Sequence, residues 1–234
     1  MPPLPVIKAQ HSIHARPTRI AGLVCAALML LSAGASSVHA ARKSAPPAQA
    51  VKEFAAAKDS GDVAAIVALY GQYAAQDNKT AALAILYAGL GEVVLHDCDD
   101  QQAQPLLDAA EAALLNMTDK DARKVIYKAA RKHLDWRVRT MVLDIAHARY
   151  HEERRAEKAI LIALTDHVDA VAIRAVEISI ELEIKRAVPK LIKLVMDKWG
   201  QHVGVGAAKA RVALEQLTGH TKPTAWYEWV SQNL

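Results

Sequence analysis

The sequence has 234 residues, of which 52% are hydrophobic and only 5% are aromatic. It is long enough for one large domain or two small ones, and its alanine- and leucine-rich composition favours closely packed helices. The formal net charge is +4, but Lys8, Arg16 and Arg19 lie in an N-terminal segment that we expect to be removed. Without them the chain carries 26 basic and 25 acidic residues. The pI near 9.0 is therefore no indication of nucleic-acid binding, which needs a concentrated basic surface.

Residues 1–40 have the pattern of an export signal. Arg16 and Arg19 form a positive region, an apolar run follows at residues 20–31, and Val38-His39-Ala40 is a small-residue cleavage site before Ala41. The apolar run is shorter than the roughly 20 residues that a membrane span needs. We therefore predict a periplasmic or secreted protein without a stable membrane span after cleavage; an uncleaved anchor is the alternative.

Residues 41–50 are predicted to be a linker, because two prolines and several small residues disfavour a helix. An N-terminal helical region follows at residues 51–118, and Asp62 is placed to cap its second helix. These helices are either irregular repeat units or a separate small domain. The expected helices cover residues 51–58, 63–73, 80–94 and 101–115.

From residue 119 onwards, apolar helices recur in pairs. The first helix of one pair covers residues 135–145, and its Val138-Arg139 sequence matches Ile173-Arg174, 35 positions further along the chain. Second helices are expected at residues 155–164 and 186–195. A helix pair that recurs at this period is typical of a stacked α-solenoid.

Three features of residues 119–234 resemble HEAT repeats: the Val-Arg pair that opens a first helix, Ala187-Val188-Pro189 at the start of a second helix, and the turn Thr165-Asp166-His167. The second helix at residues 156–164 departs from the pattern because it has no proline. The resemblance implies an all-α fold, a right-handed α-α superhelix with irregular N-terminal helices, that serves as a binding scaffold. It brings no catalytic residues.

The C-terminal residues are predicted to form a capping helix over residues 225–231, with Thr224 as its N-cap. Trp226, Trp229 and Val230 lie three and four residues apart, so they share one face of this helix. We expect them to cover the open apolar end of the stack, because an end-cover is obligatory for a solenoid. A tryptophan-rich binding site is the alternative. The tail is also similar to the ends of many secreted bacterial HEAT-repeat proteins.

Two groups of residues have the side chains of a metal site. His147 and His151 are four residues apart and would share a helix face, but the glutamate of a metalloprotease motif is replaced by Ala148. The segment 96–100 (His-Asp-Cys-Asp-Asp) lacks the spacing of a calcium or zinc loop. We interpret the first group as a polar helix end and the second as an acidic turn, and we expect no cofactor.

Cys98 is the single cysteine after residue 40, so an intramolecular disulfide is excluded once the signal is removed. A catalytic thiol needs a positioned histidine, and His96 lies at an unfavourable spacing. The sequence contains neither a Gly-x-Ser-x-Gly nucleophile motif nor a glycine-rich phosphate loop.

A basic strip is the candidate binding surface. It lies on the last second helix, and the alternative interpretation is an ordinary solvated helix face. The sequence thus predicts a non-catalytic scaffold for a protein or peptide and no binding of nucleic acid; a metal-dependent enzyme or ligand-binding protein that uses His147 and His151 is the rival. The strip consists of Lys185, Arg186, Lys190, Lys193 and Lys198.

Overall fold

The computed structural model describes residues 45–91, 95, 98–196 and 205–234, and within these residues the protein is all-helical, with no β-strand. This confirms the all-α fold class. The predicted signal at residues 1–40, the first part of the predicted linker and Lys198 lie outside the described residues. No helix in the described part of the chain has the length and apolar character needed to cross a membrane.

Eleven α-helices are described, and we number them in chain order. A π-helical segment, Ala84–Gly89, continues α3, and a 3-10 turn, Lys185–Ala187, precedes α9. The helices are α1 (Ala48–Asp59), α2 (Val63–Ala74), α3 (Lys79–Leu83), α4 (Asp100–Leu115), α5 (Lys120–Lys132), α6 (Trp136–Ala148), α7 (Arg154–Ala163), α8 (Asp169–Glu181), α9 (Val188–Met196), α10 (Val205–Thr218) and α11 (Pro223–Asn233).

Carboxylate side chains determine where several helices begin. The Asp62 carboxylate accepts a hydrogen bond from the backbone N–H of Ala65 (3.1 Å), which confirms the predicted cap of α2. Asp99 and Gln102 form a reciprocal capping box at the start of α4. Each such cap satisfies N–H groups that the helix leaves free and typically contributes about 1 kcal/mol.

Two predicted boundaries are wrong. The helix α1 begins at Ala48, inside the predicted linker, and Ala50 is fully buried in the core. The helix α11 begins at Pro223, so Thr224 lies inside the helix instead of capping it. Proline favours the first helical position because its missing N–H has no intrahelical partner there and its φ is already helical.

The predicted single helix over residues 80–94 is instead a short α-helix followed by the π-helical segment; residues 92–94 lie outside the described residues. The widened turn places Gly89 against two aromatic rings. The Tyr70 hydroxyl donates a hydrogen bond to the Gly89 carbonyl (2.8 Å), and a Cβ on Gly89 would lie 2.5 Å from the Tyr70 ring and 2.9 Å from the Phe54 ring. These rings from α1 and α2 therefore exclude any larger side chain at residue 89.

Helices that are two places apart in the chain contact one another and form two series. In one series, α2, α4, α6, α8 and α10, each helix packs against the next member. In the other, α3, α5 and α7 pack in succession, while α9 contacts α10 and α11. We call these the first-helix series and the second-helix series. Consecutive helices, such as α5 with α6 and α6 with α7, join the two series.

The buried positions of α6 and α8 reveal a register that differs from the predicted one. Val138 and Arg139 correspond in burial to Val171 and Ala172, 33 positions further along, instead of to Ile173-Arg174. Ile173 is only half-buried. The prediction aligned the two helices by residue type. The pattern of buried positions instead depends on the residue at which each helix begins. Val176 is fully buried, whereas Ile180 is half-buried like Ile173.

A buried ion pair links the turns before α6 and α8. The Arg139 side chain is 3% exposed and donates two hydrogen bonds, each 2.9 Å long, to the Asp166 carboxylate. It also donates to the carbonyls of His133 and Leu134. Asp166 in turn accepts the backbone N–H of Val168 at 2.9 Å. The guanidinium therefore fixes two consecutive turns relative to each other.

His133 connects the same edge of the stack to the π-helical segment. Its Nε2 donates to the Leu86 carbonyl (2.8 Å), and its Nδ1 accepts the backbone N–H of Asp135 (3.2 Å). This arrangement requires the neutral ring. Burial lowers the pKa of His133 below its ordinary value, although both hydrogen bonds act in the opposite direction.

The opposite edge of the stack has its own polar links. The Asp77 carboxylate, in the turn after α2, accepts from the backbone N–H groups of Thr118 (2.7 Å) and Asp119 (2.9 Å) and from the Thr118 hydroxyl. Arg149, in the turn after α6, donates to the carbonyls of Leu115 and Met117. Each link joins a turn to the corresponding turn of a neighbouring helix pair.

Replacing Asp166 by alanine should leave the Arg139 charge buried without its carboxylate and cost about 3–5 kcal/mol of stability. Because the two residues form one unit, the double variant Asp166→Ala/Arg139→Met should cost less than the two single variants together, by about 1–3 kcal/mol. Urea denaturation of the four proteins measures this coupling. Additive losses would show that the pair makes no cooperative contribution.

The stability of the protein should fall as the pH drops below about 6.5, the pKa of histidine in an unfolded chain. Below that pH the unfolded chain takes up a proton that the folded chain, with the lowered pKa of His133, does not, so the stability present above pH 6.5 is lost progressively. The loss attributable to His133 is at most about 1.4 kcal/mol per pH unit.

Urea melts of the protein and of His133→Gln, taken as a function of pH, measure this contribution. The variant should show a shallower dependence, whereas replacement of the exposed His167 by glutamine should leave the slope unchanged. Equal slopes for all three proteins would contradict the assignment.

Candidate functional site

The second-helix series carries a strongly basic surface. Within α5, α7, the 3-10 turn and α9 there are thirteen lysines and arginines but only two acidic residues, Asp121 and Glu157. We call the exposed side of these three helices and of the 3-10 turn the basic surface. It contains four of the five residues of the predicted strip; the fifth, Lys198, lies outside the described residues.

The four described residues of the predicted strip occupy different positions. Arg186 reaches toward α7 and pairs with the Glu157 carboxylate (3.3 Å). Lys190 is half-buried, and Lys185 and Lys193 are exposed. Burial, and to a smaller extent the positive charge of Lys193, lowers the pKa of Lys190. The structure thus places Lys190 and Lys193 close enough to repel each other.

Two clefts lie beside α7, the first along most of the helix and the second at its C-terminal end. The first, of about 560 Å³, is lined by Arg154, Arg155, Lys158 and Arg186, together with Glu157 and the half-buried Leu161. The second, of about 440 Å³, is lined by Arg131 of α5, Lys190 of α9 and the end of α7, with Ile162, Thr165, Asp166 and His167. The predicted strip therefore contributes one residue to each cleft rather than one continuous line.

The sequence analysis did not single out the basic residues of α5 and α7. Lys124, Lys128 and Arg131 lie at spacings of four and three on α5, and Arg154 and Lys158 are four apart on α7. These spacings match those of Arg186, Lys190 and Lys193. The shared helical stripe was the signal that would have found them, because equivalent helices of a stack present equivalent faces.

A groove on the first-helix series has the opposite charge. It holds about 290 Å³ between α4 and α6, with Leu107, Met141 and the 37%-exposed Trp136 among its apolar lining residues. Burial raises the pKa of Glu111, and the neighbouring negative charges of Asp144 and Asp108 raise it further. The four carboxylates that line the groove belong to Asp100, Asp108, Glu111 and Asp144.

Ion pairs compensate much of the negative charge on this side of the molecule. Arg174 lies 2.7 Å from the Asp144 carboxylate and 3.5 Å from that of Glu181. His147 Nε2 is 3.3 Å from Glu181, and Lys209 binds Glu177. Many of the charged side chains on the first-helix side are therefore paired with one another within the protein.

His147 and His151 do not share a helix face, contrary to the expectation for a metal-binding pair. The helix α6 ends at Ala148, and the next residue, Arg149, has non-helical dihedral angles (φ −108°, ψ 12°). His147 pairs with Glu181, while the exposed His151 contacts the edge of the Tyr150 ring at 5.2 Å. In the described part of the chain, no group of three or more histidine, cysteine or carboxylate side chains is arranged to hold a metal ion.

The Cys98 carbonyl accepts a hydrogen bond from Arg137 (3.0 Å), and Cys98 is half-buried beside the start of α4. His96, the sequence candidate for its partner, lies outside the described residues.

The tryptophans of α11 differ in exposure. Trp226 is fully buried, and its indole Nε1 donates to the His220 carbonyl at 2.6 Å. Trp229 and Val230 are partly buried against the core, while the adjacent Tyr227 is 55% exposed. The buried ring is thus a packing residue where α11 meets α9 and α10.

Comparison of the chain with protein-family models, with curated proteins and with solved structures finds no match. The arrangement of helices and the charged surfaces described above are therefore the basis for a functional proposal.

Replacing Trp226 by alanine should destabilise the protein by about 3–5 kcal/mol, because it leaves a large cavity beneath α11. The adjacent Tyr227→Ala change is the matched control and should alter stability by no more than about 0.5 kcal/mol. Urea denaturation compares the two variants. An unchanged melt for Trp226→Ala, combined with loss of a binding partner, would instead support a recognition role for this helix.

Proposed function

We propose that the protein is an exported, non-catalytic scaffold that binds a protein or peptide on the face formed by its second-helix series. In this proposal the chain folds as a HEAT-like, right-handed α-α superhelix. Its second helices would line the concave side, as they do in a HEAT-like stack.

The alternation of helix contacts supports the solenoid architecture. Each member of the first-helix series packs against the next, and consecutive helices cross from one series to the other. Because α1 to α4 take part in the same alternation, it also favours one continuous array over a separate N-terminal domain. Such arrays present extended surfaces that serve as binding faces.

The single observation that carries the binding proposal is the basic surface of α5, α7 and α9. These helices and the 3-10 turn carry thirteen basic residues against two acidic ones, and eleven of the thirteen are exposed. Exposed charges of one sign attract and orient a partner of the opposite sign. The export proposal rests on the sequence of residues 1–40.

The rival proposal, a metal-dependent function at His147 and His151, has no comparable support. The end of α6 separates the two histidines, and Glu181 already pairs with one of them.

Reversing three charges of the α9 segment tests the binding proposal. The surface variant is Lys185→Glu/Lys190→Glu/Lys193→Glu, and the control variant is Lys52→Glu/Arg211→Glu/Lys222→Glu, which makes the same change in net charge at exposed sites elsewhere. A protein captured from the cell envelope is purified and titrated against all three forms of the scaffold. We expect the surface variant to bind at least about tenfold more weakly, equivalent to about 1.4 kcal/mol.

The control variant should retain the affinity of the unmodified protein within about twofold, because isolated surface charges contribute little. Equal binding by the surface variant and the unmodified protein would contradict the proposed face.

A further inference from the structure

We propose that the basic surface binds an extended acidic segment of a partner protein, which runs along α7 and places carboxylates in the two clefts beside that helix. This inference rests on the proposed function, because it names the chemistry of the partner that the scaffold would hold.

The first step is that the three second helices repeat one basic stripe. Lys124 and Arg131 on α5, Arg154 and Lys158 on α7, and Lys193 on α9 all lie on exposed positions of their helices. Among the described residues, none of these five side chains is engaged in an ion pair. A partner rich in negative charge would therefore meet cations that the fold does not already neutralise.

The second step is that the surface already binds one carboxylate of its own. Glu157 lies in the first cleft, and both of its carboxylate oxygens are within 3.5 Å of Arg186 Nη1. Arg154, Arg155 and Lys158 line the same cleft. The pair shows that a carboxylate fits between α7 and α9, and the remaining cations can bind carboxylates of a partner in the same way.

The third step is that the two clefts follow one another along α7, because Leu161 lines the first and Ile162 lines the second. The helix α7 has ten residues, so its length is about 15 Å at 1.5 Å per residue. An extended polypeptide covers that distance with about five residues at roughly 3.3 Å each. Leu161 and Ile162, both half-buried, give the first and second cleft, respectively, an apolar contact beside the basic side chains.

The fourth step separates this partner from a membrane or a nucleic acid. Membrane surfaces are usually bound by basic faces that also insert large apolar side chains, and single-stranded nucleic acids by basic faces with stacking aromatics. The exposed aromatic residues Trp136 and Tyr227 lie on α6 and α11 and not on the helices of the basic surface, where the exposed large apolar residues are two isolated ones, Leu134 just after α5 and Met196 at the end of α9. Basic side chains with an apolar contact beside them and side-chain-sized clefts fit an acidic polypeptide better than either alternative.

Poly-L-glutamate of about 20 residues is the probe, long enough to span both clefts. Its binding to the full-length protein is measured by fluorescence anisotropy at low salt and again at high salt, which screens surface charges. The test variant is Arg131→Glu/Arg154→Glu/Lys158→Glu, which leaves α9 unchanged, and the control variant is again Lys52→Glu/Arg211→Glu/Lys222→Glu. A neutral version, Arg131→Gln/Arg154→Gln/Lys158→Gln, repeats the test without charge reversal, and circular dichroism verifies that each protein is folded.

We expect salt-sensitive binding of poly-L-glutamate that weakens at least about tenfold in the test variant, falls by a smaller factor in the neutral version and stays within about twofold in the control. Equal losses in the test and control variants would overturn the inference, since net charge alone would then explain binding. Tighter binding to phosphatidylglycerol vesicles or to single-stranded DNA than to poly-L-glutamate would also overturn it.

The two experiments distinguish failure of this inference from failure of the proposed function. If a captured protein depends on the α9 charges but poly-L-glutamate neither binds nor competes with it, the scaffold proposal stands and the acidic partner assigned here is wrong. If neither ligand depends on the α5, α7 or α9 charges, both proposals are wrong.

Discussion

The structure depends on the packing of helices that are two places apart in the chain, from α2 to α10 in the first-helix series and from α3 to α7 in the second. A single amphipathic helix of 10 to 16 residues cannot bury its own apolar stripe, so every helix of the array needs neighbours on two sides. This requirement explains why the buried positions of α6 recur in α8 at the same places relative to the helix start. It also explains why the apolar residues and most of the charged residues lie on different faces of each helix.

Helix packing alone leaves the helices free to slide along one another, and the polar links at the turns remove that freedom. Arg139 and Asp166 hold adjacent turns on one edge, and Asp77 holds Thr118 and Asp119 on the other. Because these groups are buried or partly buried and satisfied on several sides, a shift of one helix would leave charges or N–H groups without partners. The core thus supplies most of the stability, and the turns fix the register.

Much of the fold was predictable from the sequence, since apolar spacing and capping residues are local signals. The helix starting after Asp62 and the burial of Val176 follow directly from such signals. The π-helical segment did not, because it depends on Phe54 and Tyr70 packing against Gly89 from other helices. The repeat register was wrong for a related reason: Val138-Arg139 and Ile173-Arg174 look alike, yet a helix start two residues earlier turns Arg174 toward Asp144 instead of into a buried turn.

The candidate site was harder to predict from the sequence than the fold, because the net charge of a chain does not show where its charged residues lie. A chain with nearly equal numbers of acids and bases gave no reason to examine α5 and α7, although their lysines and arginines repeat the spacing found on α9. The two helix series separate these charges, because each series turns one set of polar positions outward. His147 and His151 do not form the metal-binding pair that their spacing suggested, because the end of α6 at Ala148 lies between them.

The two sides of the array also differ in how their charges are compensated, and this difference supports the proposed binding face. On the first-helix side, Arg174 and Lys209 neutralise carboxylates of Asp144 and Glu177 within the fold. On the second-helix side, Glu153 pairs with Arg123 and Glu157 with Arg186, while Lys158 and its neighbours face solvent. A partner gains from a charged surface only to the extent that the fold has not already neutralised it. The second-helix side, where Lys124, Arg154 and Lys158 have no ion pair among the described residues, is therefore the one on which an external, negatively charged segment would gain most.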